Sequence, residues 1–277
     1  MTRTEAHMRM PAVAGTFYPG HPDQLLNSVE RFLVRTTDPV AVTAIIVPHA
    51  GYVYSGSTAG KTYACCDLPR RLVILCPNHT GLGARLALNS DGAWRTPLGE
   101  VPVDAPLARA LMAAFPALED DPLAHRKEHA IEVQLPFLQV LLGEFSFLPV
   151  VVGTNALGDL EALGLAMAKV VAESESPVAM VVSSDMNHYE DAKTNRAKDS
   201  AALEAVLRID PTGLFQVVRE RRISMCGAGP AVAALFACQR LGADRAELVD
   251  YTDSGMVTGD DSQVVSYAGV RIFKGQA

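Results

Sequence analysis

Thr43-Ala44-Ile45-Ile46-Val47-Pro48-His49-Ala50-Gly51-Tyr52 decides the fold: a short aliphatic run passes at once into a polar turn carrying a histidine. The pattern recurs where Leu72 to Cys76 leads into Pro77-Asn78-His79-Thr80-Gly81. It recurs again where Val178 to Val182 leads into Ser183-Ser184-Asp185-Met186-Asn187-His188-Tyr189. Continuous apolar runs bounded by turn residues suit strands buried on both faces, as in a parallel sheet covered by helices. Open sheets of this kind bind ligands beyond the carboxyl ends of their strands, so three polar ends would converge on one crevice.

Working outward, strands are expected at 43–48, 71–76, 147–152, 178–183, 247–251 and 264–273. Helical patterning covers 23–34, entered from Gly20-His21-Pro22 with Asp23 as its cap, and 104–115, opened by Asp104 and Pro106. Apolar residues at 131, 135, 138 and 142 predict a helix over 128–142, and further helices are expected at 157–173, 194–207, 211–220 and 230–241. Strands alternating with helices predict one α/β sandwich spanning 1–277, with a central mixed or mostly parallel sheet between helical layers. Turn residues between Gly83 and Val103 predict a hairpin or arm outside that sheet.

Of the 277 residues 49% are hydrophobic and 20% charged, which is the balance of a folded globular protein. A net charge of −7 argues against nucleic-acid or anionic-membrane partners, and Arg219-Glu220-Arg221-Arg222 reads as a solvated helix end. No run approaches the roughly 20 apolar residues of a membrane span. Met1 to Gly20 lacks the apolar core of a secretory signal. Five cysteines, an odd number without framework spacing, suit a reducing, cytoplasmic setting.

Imidazole, thiolate and carboxylate are the usual ligands of iron, copper and zinc. His49, His79 and Cys226 are the candidate metal ligands. Cys226 sits in Ser224-Met225-Cys226-Gly227-Ala228-Gly229-Pro230, a turn entering a predicted helix, where the helix amino terminus should favour the thiolate. Asp185 is placed to orient an imidazole or touch the metal, and His188 to act as general base or proton shuttle. Tyr52, Tyr54, Asn78, His129 and Glu132 are candidates to touch substrate or to support the metal ligands from behind, and His129 and Glu132 read as an exposed helix turn slightly ahead of direct metal binding. No glycine-rich dinucleotide turn, phosphate loop or nucleophile elbow is present, and Ser183-Ser184 lies too close to Asp185 and His188 on one loop to form a triad.

Ala12 to Pro19, Pro48 to Gly56, Pro77-Asn78-His79, Glu128 to Pro136, Ser183 to Tyr189 and Cys226-Gly227 together resemble the Memo family over residues 8–273. The resemblance implies a fold like that of the class III extradiol dioxygenases, which carry nonhaem iron. By motif it implies His49, His79 and Cys226 on the metal, with Asp185 and His188 lining the pocket. Fe(II) is the metal most expected, with copper as the alternative and zinc below both. Cysteine in place of the dioxygenase carboxylate means that ring cleavage does not follow from the fold. Prokaryotic relatives are associated with an AMMECR-type protein and a radical SAM protein. The expected function is a metal-dependent oxidoreductase acting on a small molecule, cofactor-free apart from the metal. The alternative is a metal-handling or peptide-binding module without turnover, and a homodimer is compatible with either.

Overall fold

The apolar runs that end in histidine-bearing turns lie side by side. In a computed structural model of the chain, residues 8–34 and 38–275 are described, so part of the amino-terminal segment read above lies outside them. From β1 (Met8–Arg9) the chain passes through α1 (Pro22–Phe32), β2 (Val40–Ala41), β3 (Ala44–Val47) and α2 (Tyr52–Ala64). Next come β4 (Cys66–Asp67), β5 (Arg71–Pro77), β6 (Leu86–Leu88), β7 (Ala93–Thr96) and β8 (Gly99–Pro102). The middle holds α3 (Ala105–Ala114), β9 (Glu119–Asp120), α4 (Pro122–His125), α5 (Leu135–Leu142), β10 (Ser146–Val152) and α6 (Leu157–Ala172). After β11 (Ala179–Ser183) and β12 (His188–Glu190) come α7 (Ala192–Leu207), α8 (Pro211–Glu220) and α9 (Ala228–Leu241). The chain closes with β13 (Arg245–Asp253), α10 (Gly255–Thr258) and β14 (Val264–Phe273).

The fold is α/β, built on a mixed nine-stranded sheet ordered β12–β14–β3–β11–β5–β10–β6–β9, with β13 paired to β14. Its centre, β3–β11–β5–β10, is parallel, while β14 and β6 run antiparallel to it on either side. Alternate residues of the central strands feed two cores, as the pleat requires. Ala44, Ile46, Val73, Leu75, Met180 and Val182 pack against one helical layer that includes α3, α6 and α9. Ile45, Val47, Leu72, Ile74, Ala179 and Val181 pack in the other core with residues of α1, α2 and α5. Each fully buried aliphatic side chain stabilises by roughly 1.5–3 kcal/mol, so both faces hold the sheet in place. Cys65, Cys66, Cys76 and Cys238 are buried within these cores. No helix among the described residues is long and apolar enough to cross a membrane.

Four details depart from the sequence expectations. Helix α2 follows His49 at once, yet its Gly, Ser and Thr content hides it, because glycine inside a helix costs about 1 kcal/mol relative to alanine. The reason is packing: a Cβ at Gly56 or Gly60 would collide with Phe32 of α1. The helix expected over 128–142 begins late, with a 3₁₀ turn at Glu132–Gln134 and α5 from Leu135, because Glu128 to Ile131 is held in an irregular loop by contacts described below. Asp23 lies inside the first turn of α1 rather than capping it; His21 is the N-cap and makes no side-chain bond. The segment after Gly83 divides: β7 and β8 form the expected hairpin outside the main sheet, while β6 joins that sheet against β10.

Asp104 locks the amino ends of β5 and β10 to α3. It accepts from Arg71 Nε and Nη2 at 2.7 and 2.9 Å, from Ser146 Oγ at 3.1 Å and from the Leu107 amide at 3.0 Å, as the cap of α3. Burial would raise its pKa, but the Arg71 hydrogen bonds and the Leu107 amide outweigh it and hold the carboxyl below its ordinary value. Its contribution is therefore complete above the unfolded pKa, roughly 4, and is lost as pH falls through the folded value. Asp104→Asn should lower unfolding free energy by about 2 kcal/mol at neutral pH. In urea titrations the gap from wild type should close in strongly acidic buffer; a gap that stays constant with pH would contradict this account.

Candidate metal centre

Because β3, β11 and β5 are adjacent and parallel, the residues following them emerge at one edge of the sheet. His49 follows β3, His79 follows β5, and Asp185 follows β11. His129 arrives from the loop before the 3₁₀ turn, and Cys226 from the turn into α9. His49, His79 and His129 each present one ring nitrogen to a common point, the three atoms lying within 4.8 Å of one another. Their rings sit 4.7–5.4 Å apart, and Phe17 covers His129 with a centroid distance of 4.7 Å.

The hydrogen bonds assign the tautomers. Ser183 Oγ gives its only proton to Ala130 O at 2.6 Å and accepts from Gln134 Nε2 at 2.8 Å. The 2.9 Å contact between His49 Nδ1 and Ser183 Oγ must then be a donation by the ring, which leaves the lone pair on Nε2. The oxygen of Gln134 is in turn held by Tyr63 at 2.9 Å. His79 Nδ1 faces Glu128 Oε1 at 2.9 Å, and an ionised carboxylate can only accept, so His79 too keeps its lone pair on Nε2. Glu128 also accepts from the His79 amide at 2.7 Å and the Ala130 amide at 3.0 Å. Burial would raise the Glu128 pKa, but these bonds, led by the one from the His79 ring, hold it at about 2. Burial, followed by the charge of His79, pushes His49 down to about 3. Burial, followed by the charge of His49, pushes His129 down to about 4. At neutral pH both imidazoles are uncharged, the form that binds a cation.

Cys226 Sγ lies 3.2 Å from His49 Nε2 and accepts from the Asp185 amide at 3.2 Å. Gly227 makes that approach feasible: a side chain there would collide with Ser184, whose Oγ instead accepts from the Gly227 amide at 3.0 Å. Burial, and then the charge of Asp185, push the Cys226 thiol up. The helix amino terminus alone therefore does not produce the thiolate expected from the sequence. Asp185 Oδ1 accepts from the His49 and Ala50 amides at 2.7 and 3.3 Å, and burial raises its pKa. His188 donates from Nδ1 to Ser224 O at 3.0 Å, and in the neutral ring that leaves Nε2 as an acceptor. Tyr189 beyond it has φ 61°, a left-handed conformation unusual for a tyrosine, and is exposed.

The remaining candidates occupy different places. Tyr54 stands exposed, but Tyr52 is buried and donates its hydroxyl to Val133 O at 2.6 Å. Asn78 spans its own turn, donating to Leu82 O at 2.9 Å and accepting from Thr80 and the Gly81 amide. Glu132 is fully buried, and both its oxygens are taken by Arg9, Tyr18 and the Ala12 and Val13 amides at 2.6–3.0 Å. It anchors the strap formed by residues 9–18 rather than facing a substrate. Arg9 completes that anchor through His125 O and Glu128 O at 2.8 and 2.6 Å. Glu132 stands out in the sequence and Arg9 and Glu128 do not, because partners 49 to 123 residues apart leave no local pattern. The one local signal was the run Glu128-His129-Ala130-Ile131-Glu132, with a carboxylate at each end of it.

A family model described as Memo-like protein matches residues 9–271. A MEMO1 family protein of Methanopyrus kandleri is 41% identical over 281 residues, covering 96% of this chain and 99% of its own. Counterparts from Methanosarcina barkeri and Aquifex aeolicus are each 40% identical, covering 95% of this chain and 99% and 98% of theirs.

The strap gives the site a measurable dependence on one ion pair. Removing one partner of a buried pair costs roughly 3–5 kcal/mol, because the other charge is left without compensation. Glu132→Gln should therefore lower unfolding free energy by about 3 kcal/mol and expose residues 9–18 to faster amide exchange. Wild-type stability and exchange in that variant would mean that the pair does not hold the strap.

Proposed function

The chain belongs to the Memo-like family, and on that premise we propose that it is a metal-dependent redox protein with a site built on His49 and His79. His129 and Cys226 are the groups that would complete the ligand set. The observation that carries this reading is the convergence of three imidazole nitrogens within 4.8 Å of one another. The donor set fits an ion well: His49 and His79 each have their outward nitrogen committed to Ser183 or Glu128, so the inward lone pair is the one left to bind. Nitrogen donors with a nearby sulfur suit iron, copper and zinc alike. Iron is put first, copper next and zinc after them only because the resemblance to the nonhaem-iron dioxygenases implies it. A bound iron or copper ion would supply electron transfer and a Lewis acid at this point.

The chain's own residues provide the rest. Ser183, Gln134 and Glu128 orient the rings. Phe17 shields the His129 side from water. His188, with Nε2 free to accept, is the group that takes or returns a proton of a small-molecule substrate, and Asp185 fixes the backbone of the His49 turn while facing the same cluster. A second reading, a metal-handling or peptide-binding module, is favoured by exposed Tyr54 and Tyr189, both within electrostatic reach of Tyr267. The family association with AMMECR-type and radical SAM proteins would suit either reading.

Elemental analysis of protein purified anaerobically tests the centre. Wild type should hold close to one iron or copper per chain, and His49→Ala and His79→Ala should each retain less than about a tenth of it while remaining folded by circular dichroism. Loss in His129→Ala but not Cys226→Ala would assign three imidazoles; the reverse would assign the cysteine. No metal in wild type, even after anaerobic reconstitution with Fe(II), would overturn the metal reading. Oxygen consumption on addition of candidate substrates then separates an oxidoreductase from a binding module.

A further inference from the structure

A cavity of about 890 Å³ is lined by residues 8–13, Asn89, and residues 122, 123 and 125–127. Its size falls within the range of small-molecule pockets, roughly 300–1,000 Å³. Its walls are largely aliphatic, and Met10 and Leu123 stand 56% and 40% exposed. Arg126 and Lys127 are exposed beside it and form no ion pair among the described residues, whereas Arg9 is engaged by Glu132 and three carbonyls.

The sharpest feature is His125. The ring is 1% exposed, and neither nitrogen has a hydrogen-bond partner among the described residues. The Leu88 backbone lies near enough to favour its protonated form but makes no bond of ordinary geometry. Leaving a buried donor and acceptor unmade costs about 1–3 kcal/mol each, so such a group calls for an explanation. Packing alone does not supply one: the ring meets Trp94 edge-on at 5.7 Å, a contact that a phenylalanine would make as well. Burial and then the charge of Arg9 push His125 down to about 3, so at neutral pH it is uncharged and has one N–H to give.

We infer that this cavity binds a small amphiphilic anion, an unbranched or compact apolar body carrying a single carboxylate. The aliphatic wall takes the body. Arg126 and Lys127 attract the carboxylate, which accepts the His125 N–H that finds no well-formed acceptor among the described residues. The proposal is independent of the metal centre, since none of His49, His79 or Cys226 lines the cavity.

Trp94 provides the readout, because it is the only tryptophan in the chain, touches His125, and lies 4.1 Å beneath the Arg9 guanidinium. Octanoate should change its fluorescence saturably, and titration calorimetry should give one site per chain. The uncharged analogue octanol should bind about tenfold more weakly, as should octanoate to the surface variant Arg126→Ala/Lys127→Ala, which leaves the packed wall intact. His125→Phe should weaken octanoate by a similar factor while leaving octanol unchanged. An absence of saturable binding to the wild-type chain, equal affinity for octanol and octanoate, or undiminished binding by the double variant would each overturn the proposal.

Discussion

The arrangement depends on three parallel strands, β3, β11 and β5, ending at the same level. Parallel pairing puts like ends together, so His49, Asp185 and His79 are brought to one edge from positions 30 to 136 residues apart in sequence. Both faces of those strands are buried, and a slip of one residue would swap the two cores. The register is thus fixed by hydrophobic packing, and the positions of these three side chains follow from the sheet.

Packing places the imidazoles but does not orient them. That is the work of polar groups buried at the sheet edge: Ser183 passes a fixed pattern of donors and acceptors from Gln134 and Ala130 to His49, and Glu128 does the same for His79. Such a network is costly when incomplete and specific when complete, because each proton has one place to go. The same loop that carries Glu128 gives its backbone carbonyl to Arg9, so the strap, the carboxylate and the histidines share one scaffold.

The sheet was legible in the sequence because its strands are continuous aliphatic runs, and the six expected strands are all present near their expected limits. Helix α2 was not, because its Gly56 and Gly60 serve the packing of Phe32 and disguise the helical pattern. His49, His79 and Asp185 could be read because each follows such a run directly. His129 was read as part of the pocket wall, and only the irregular path of residues 128–131 shows that its ring reaches the two other imidazoles. Ser183 reads in the sequence only as a rejected triad serine, and Glu128 and Arg9 carry no signal of their own, since what matters about all three is a partner supplied by the fold.

The positions of these partners also order events during synthesis. His49, His79 and His129 all leave the ribosome long before Cys226, whose contact with His49 spans 177 residues. β11, which lies between β3 and β5 in the sheet, is also made later than either of them. The early histidines therefore cannot hold their final spacing until β11 has inserted between their strands, and any encounter with a thiophilic or imidazole-seeking ion before then meets a different set of donors. Insertion of a central strand between two earlier ones is a slow, non-local step. Under the proposed metal reading, the chain's maturation, as well as its finished geometry, would then bear on which ion is taken.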